Sequence, residues 1–168
     1  MRLYVKNKIM TIGGSSFAVD ENENQVFKIK GKWFSPTKKK KIYDMEGNLL
    51  FVVRNKFWHF LRRTCFVYNS EKEKILQVYN KKFDFRHDFF VEGYKDEIAF
   101  TGKLFQFPNI NMQIEKNGEQ IGTLTKNFTF IRDAYTLDIE KEDDASLFVA
   151  FTIAIDNIFD ARRSKNSH

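Results

Sequence analysis

A chain of 168 residues that is 42% hydrophobic and holds 19 phenylalanines has the length of one domain. It can bury about two thirds of its unfolded surface, which excludes wholesale disorder. A single cysteine, Cys65, excludes an intramolecular disulfide and fits a reducing compartment. The 28 Lys and Arg against 22 Asp and Glu leave a formal charge of +6, which permits contact with phosphates on lipid or nucleic acid without requiring it.

The first run, Leu3 to Lys8, alternates apolar with basic residues and lacks the unbroken apolar stretch of a secretory signal. A cytoplasmic location is therefore expected. A degenerate repeat follows, in which an alternating run, a polar turn, a second alternating run and a basic, aromatic-bearing segment recur as a hairpin unit. The first copy turns at Asp20 to Asn24 and closes on Gly31-Lys32-Trp33-Phe34. Copies two to four turn at Met45 to Asn48, Asn69 to Lys74 and Glu92 to Asp96. The fifth has Asn117-Gly118 between two alternating runs, the strongest short hairpin signal a sequence carries.

The closing phenylalanines Phe34, Phe57, Phe83, Phe105 and Phe128 recur every 22 to 26 residues, the length of two short strands with their turns. With Leu3 to Lys8 and the late run Tyr135 to Glu140, roughly a dozen strands are expected. So many strands joined by short links favour an antiparallel meander that closes, because closure removes exposed edges.

The last element differs. After the acidic cluster Glu140 to Asp144, which suits a helix N-terminus, comes an apolar run that includes Leu147, Phe148, Phe151, Ile153, Ala154, Ile155, Ile158 and Phe159. It shows no two-residue alternation, and its alanines favour a helix over a buried strand. The run is too short for a bilayer, so it is expected at the core of the protein and not across a membrane. Residues 1–161 form one domain in this reading, with 162–168 as a polar tail.

Val26 to Ser35, Asp44-Met45-Glu46-Gly47, Asp133 to Leu137 and Phe151 to Ile158 together resemble the bacterial branch of the LURP-one-related family, within the tubby C-terminal-like superfamily. The resemblance covers Leu3 to Phe159. It implies a mainly β fold, a closed antiparallel barrel of about twelve strands around a central hydrophobic C-terminal helix. Relatives include the tubby proteins, which bind phosphoinositides and have been linked to transcription, and the phospholipid scramblases, which act at membranes. It implies no catalytic residues.

No phosphate-loop glycine pattern, nucleophile elbow, His-Glu-x-x-His or Cys-x-x-Cys occurs, and neither a cofactor nor a metal is expected. Cys65 reads as a small buried hydrophobe on a strand. Asp20 to Asn24 begins like a calcium loop, but Gln25 stands where the sharp-turn glycine is needed. His59 and His87 sit near arginines and carry no motif spacing. The candidate anionic-ligand patch consists of Lys38, Lys39, Lys40 and Lys41, read as a loop, with Arg62, Arg63, Lys81, Lys82 and Arg86. Phe57, Trp58, Phe60, Phe83 and Phe85 lie beside these clusters. The expected role is non-enzymatic binding or scaffolding that recognises anionic phospholipid or another phosphate-bearing partner, in the cytoplasm or peripheral to a membrane. The alternatives are a nucleic-acid-associated regulator and an enzyme with a pocket at the barrel mouth.

Overall fold

Alternation of apolar and polar residues over runs of four to ten residues sends every second side chain to one face, and a sheet built so has one face to bury. In the computed structural model, which describes residues 1–6, 15–31, 35–58, 62–81, 87–102, 109–128, 133–140 and 145–163, that face turns inward on itself. Twelve strands form: β1 (Arg2–Lys6), β2 (Ser15–Val19), β3 (Gln25–Gly31), β4 (Lys40–Tyr43), β5 (Leu49–Asn55), β6 (Arg62–Tyr68), β7 (Lys74–Lys81), β8 (Phe89–Glu92), β9 (Ile98–Gly102), β10 (Ile110–Lys116), β11 (Glu119–Phe128) and β12 (Asp133–Ile139). Each pairs antiparallel with its neighbours in sequence, and β1 pairs with β12 to close the barrel. The expected meander of about a dozen strands is thus the observed one.

The repeat is visible in atomic detail at its turns. Asp20, Asp44 and Asn69 each open a five-residue turn by accepting, on a side-chain oxygen, the backbone N–H four residues on, from Asn24, Asn48 and Glu73. Short acceptors of this kind substitute for a missing ladder partner. The fourth residue of each turn, Glu23, Gly47 or Lys72, takes a left-handed backbone, and each hairpin carries a register shift beside its turn. Asp20 spends its carboxylate on this turn, so the calcium-like motif is a hairpin tip. Asn117 and Gly118, at φ 54° and 82°, make the two-residue turn their sequence calls for.

Helix α1 (Ala145–Arg163) fills the lumen. All eleven residues from Val149 to Phe159 are buried, as only a helix enclosed on every side can be. Phe148 and Phe151 pack edge to face, and Phe151 also meets Phe100 of the wall. Leu147 is half-buried at the entrance. The helix runs through Arg163, two residues into the stretch read from sequence as a tail. The acidic cluster, save Glu140, and residues 164–168 lie outside the described residues. No described helix is long and apolar enough to cross a membrane.

Because the helix is the core, removing it leaves a hollow wall. Truncation after Lys141 is expected to abolish cooperative unfolding, as followed by circular dichroism on heating. Phe151→Ala is expected to cost about 3–5 kcal/mol in urea titration, and a loss under 1 kcal/mol would show that the ring is not enclosed.

Candidate functional site

In a meander, odd strands end and even strands begin at the same rim. The tight turns after β2, β4, β6, β8 and β10 therefore share one rim, and the links after β3, β5, β7, β9 and β11 share the other. Each basic candidate among the described residues belongs to this second, link rim or to the wall just below it. Lys40 and Lys41 are the first residues of β4, which corrects their reading as loop; Lys38 and Lys39 precede the strand. Arg62 and Arg63 begin β6, and Arg62 stands opposite Lys81 at the end of β7. Lys82 and Arg86, with Phe60, Phe83, Phe85 and His59, lie outside the described residues, as does the Lys81 side chain.

The lysine run does not act as one patch. Lys40 shares inward parity with buried Ile42, and its Nζ donates to Asp156 Oδ2 of the helix at 2.7 Å. Lys126, which is 1% exposed, is the second cation of this cluster: its Nζ donates to Tyr135 Oη at 2.6 Å and stands 3.6 Å from Asp156 Oδ1. Tyr135 Oη in turn donates to Asp156 Oδ1 at 3.0 Å. Burial by itself would raise the Asp156 carboxyl, but the Lys40 and Lys126 charges and the hydrogen bonds from Lys40 and Tyr135 hold it down to about 2. Burial likewise works against the Lys40 ammonium, and Asp156 outweighs it and raises it.

One residue on, Asn157 Nδ2 donates to the carbonyl of Lys38, and Asn55 Nδ2 donates to the carbonyl of Asn157. Lys38 takes a left-handed backbone at φ 47°, held by its N–H donating to Ser35 O. Its ammonium lies 3.7 Å from Asp160, one turn beyond Asp156. Cys65 is buried beside Asn157, and burial pushes its thiol up to about 12, so it stays protonated at neutral pH. His87 packs its ring on Phe159 at 5.5 Å.

Sequence reasoning missed this buried cluster. The signal was present: Thr152, Asp156 and Asp160 fall at i, i+4 and i+8 on one helical face, and a carboxylate within an apolar run demands a cation.

Above the cluster the rim is polar and exposed. Lys56 and Arg62 are exposed, Lys39 and Lys41 are half-buried, and Arg63 is partly desolvated, which lowers its pKa from the ordinary value. Between them, after β5, stand Phe57 and Trp58, 67% and 79% exposed, with their rings edge to face 6.1 Å apart. The surface depression of about 450 Å³ that holds Lys116, Glu119, Ile139 and Phe148 lies at the opposite, hairpin rim. The lumen itself is occupied by helix. Among the described residues no cluster of three or more potential metal ligands forms.

A family model described as LURP-one-related matches residues 1–156 of the chain. No curated protein and no solved structure matches it.

Asp156→Asn removes the carboxylate that faces the buried Lys126 and the largely buried Lys40 ammonium, leaving them the more distant Asp160, and is expected to destabilise by about 3–5 kcal/mol. Because the folded carboxyl titrates below the ordinary value, its contribution is complete above about pH 4 and is lost as pH falls toward 2. Asp160, whose carboxyl is raised by burial and by the Asp156 charge, works in the opposite sense and offsets part of the loss. Urea titrations of native protein and Asp156→Asn at pH 7 and pH 3 should therefore converge as the pH falls; a constant gap would remove Asp156 from the account.

Proposed function

The chain belongs to the LURP-one-related family, and from that premise we propose that it acts by binding, as a peripheral module for anionic lipid surfaces that uses the link rim of its barrel. The observation that carries the reading is the exposed Phe57–Trp58 pair set among Lys39, Lys41, Lys56 and Arg62. Large rings held in water cost free energy that burial in a bilayer interface recovers, and Trp is the side chain best suited to that boundary. Basic groups beside them add attraction of about 1 kcal/mol each at an anionic leaflet. The implied phosphoinositide-binding relatives point the same way.

Within this reading the lysines have separate tasks. Lys39 and Lys41 face the ligand, whereas Lys40 seats the helix and Lys38 is shared between Asp160 and the surface. Replacing the whole run would confuse binding with folding.

The expected result is cosedimentation with vesicles of phosphatidylcholine plus phosphatidylglycerol, and little with phosphatidylcholine alone. Binding should fall steeply with salt, since the screening length shrinks from about 10 Å at 0.1 M to about 3 Å at 1 M. In a Trp33→Phe background, Trp58 emission should shift to the blue on binding, and Trp58→Ala should weaken binding roughly tenfold at unchanged thermal stability. Equal recovery with both vesicle types would sink the proposal.

A further inference from the structure

Outward positions on β3 to β7 hold a charge pattern that the rim does not account for. In direct register across the wall, Lys30 faces Lys41, Lys41 faces Val52, Val52 faces Tyr68 and Tyr68 faces Lys74. Flanking this row, Lys28 faces Tyr43 and Arg54 faces Phe66. Like charges opposite one another on neighbouring strands repel. Lys30 and Lys41 nevertheless stand side by side, and among the described residues no carboxylate comes within ion-pair distance of Lys28, Lys30, Lys41, Arg54 or Lys74. Arg62 has such a partner, Glu92 at 3.2 Å.

The cations are held in place by rings. Lys30 lies over Tyr43 at 5.2 Å, Arg54 over Tyr68 at 4.6 Å, Arg62 over Tyr79 at 4.4 Å and Lys74 over Phe66 at 5.4 Å. The opposite wall is of another kind. Outward positions on β9 to β12 carry Thr101, Asn111, Gln113, Thr123, Thr125 and Thr136 with the acids Glu115 and Asp138, and among the described residues no lysine or arginine.

We propose that the β3–β7 wall is the face on which the barrel docks to an anionic bilayer, so that the molecule lies side-on with Phe57 and Trp58 entering at the edge of the footprint. This deepens the reading of the link rim and rests on it. Strands about 4.8 Å apart make the five-strand wall roughly 20 Å wide, enough for several lipid headgroups. Repulsion between Lys30 and Lys41 is relieved by a dense anionic surface, and cations already ordered on rings lose little freedom when they meet it. A single-stranded nucleic acid fits less well. Its bases need open ring faces, and the wall rings are half-buried beneath cations.

The test compares two variants with the same change in net charge: Lys30→Gln with Lys74→Gln on the wall, and Gln113→Glu with Thr123→Glu on the far side. All four positions are exposed; Gln113 faces Thr123 across β10 and β11, so two glutamates there repel and lower the unfolding temperature somewhat, and both variants are assayed well below it. With phosphatidylcholine–phosphatidylglycerol vesicles, losing two wall cations should weaken binding about 25-fold, at about fivefold per charge, while the far-wall variant stays within about twofold of native. Native binding that survives in the wall variant would overturn side-on docking and leave rim binding standing. An equal loss in both variants would overturn it in favour of diffuse net-charge attraction. Absence of native vesicle binding would overturn both proposals together. Capture of a fluorescent oligouridylate by native protein but not by the wall variant, with vesicles unbound, would reassign the wall to single-stranded nucleic acid.

Discussion

A carboxylate enclosed in an apolar lumen is the constraint on which this molecule turns. Asp156 sits in a helix whose eleven consecutive positions from 149 to 159 are all shielded from water, and without partners its carboxylate would cost several kcal/mol or take up a proton. Its neutralisation requires Lys40 at the start of β4, Lys126 near the end of β11 and Tyr135 near the start of β12, all close to the link rim. The helix can therefore take one rotation and one depth. That seating in turn places Asn157 under the Lys38 carbonyl and Asp160 beside the Lys38 ammonium, so the conformation of the loop before β4 is dictated from inside the barrel.

The repeat explains why chemistry gathers on one side. Two antiparallel strands return the chain to the level it left, so a feature written once per repeat recurs at one rim. Asx-type turns fall at the hairpin rim in three successive copies, and the described basic, aromatic-bearing segment Lys56 to Trp58 falls at the other. The same register that buries Ile29, Ile42, Val53 and Val67 projects Lys30, Lys41, Arg54 and Phe66 outward. One alternation thus builds the core and the charged wall together.

Strands and hairpins were legible because a period of two and an Asn-Gly or Asp-led turn are local signals that tertiary structure had no reason to override. The helix was legible because its apolar run lacked that period, carried alanines at 150 and 154, and followed an acidic cluster suited to a helix N-terminus. Division of labour within Lys38 to Lys41 was not legible. A run of identical residues carries no parity of its own, and that Lys40 points inward follows from its position two before Ile42, which is visible once the strand start is known. Nor could Lys126 be recognised as buried. It shares inward parity with Leu124 on a strand read from its Asn-Gly turn, but a lysine in an inward position reads as an error in register until its carboxylate partner, 30 residues away, is in view.

Buried ion clusters are poor sources of net stability, since apolar residues of matching volume often do as well. Their distinctive property is asymmetry: assembled they cost little, and with one partner displaced they cost several kcal/mol. An apolar rod in an apolar tube meets no such penalty, and sliding by a residue or turning by a fraction of a turn would exchange one set of methyl contacts for another. With Asp156 clamped between two lysines and a tyrosine, those alternatives leave a naked charge. The cluster thus penalises each misplacement of the helix, and the helix holds the link after β3 through Asn157 and Asp160. The outer surface beside Phe57 and Trp58 consequently inherits its order from a single carboxylate in the lumen, which connects a residue shielded from solvent to a face that meets it.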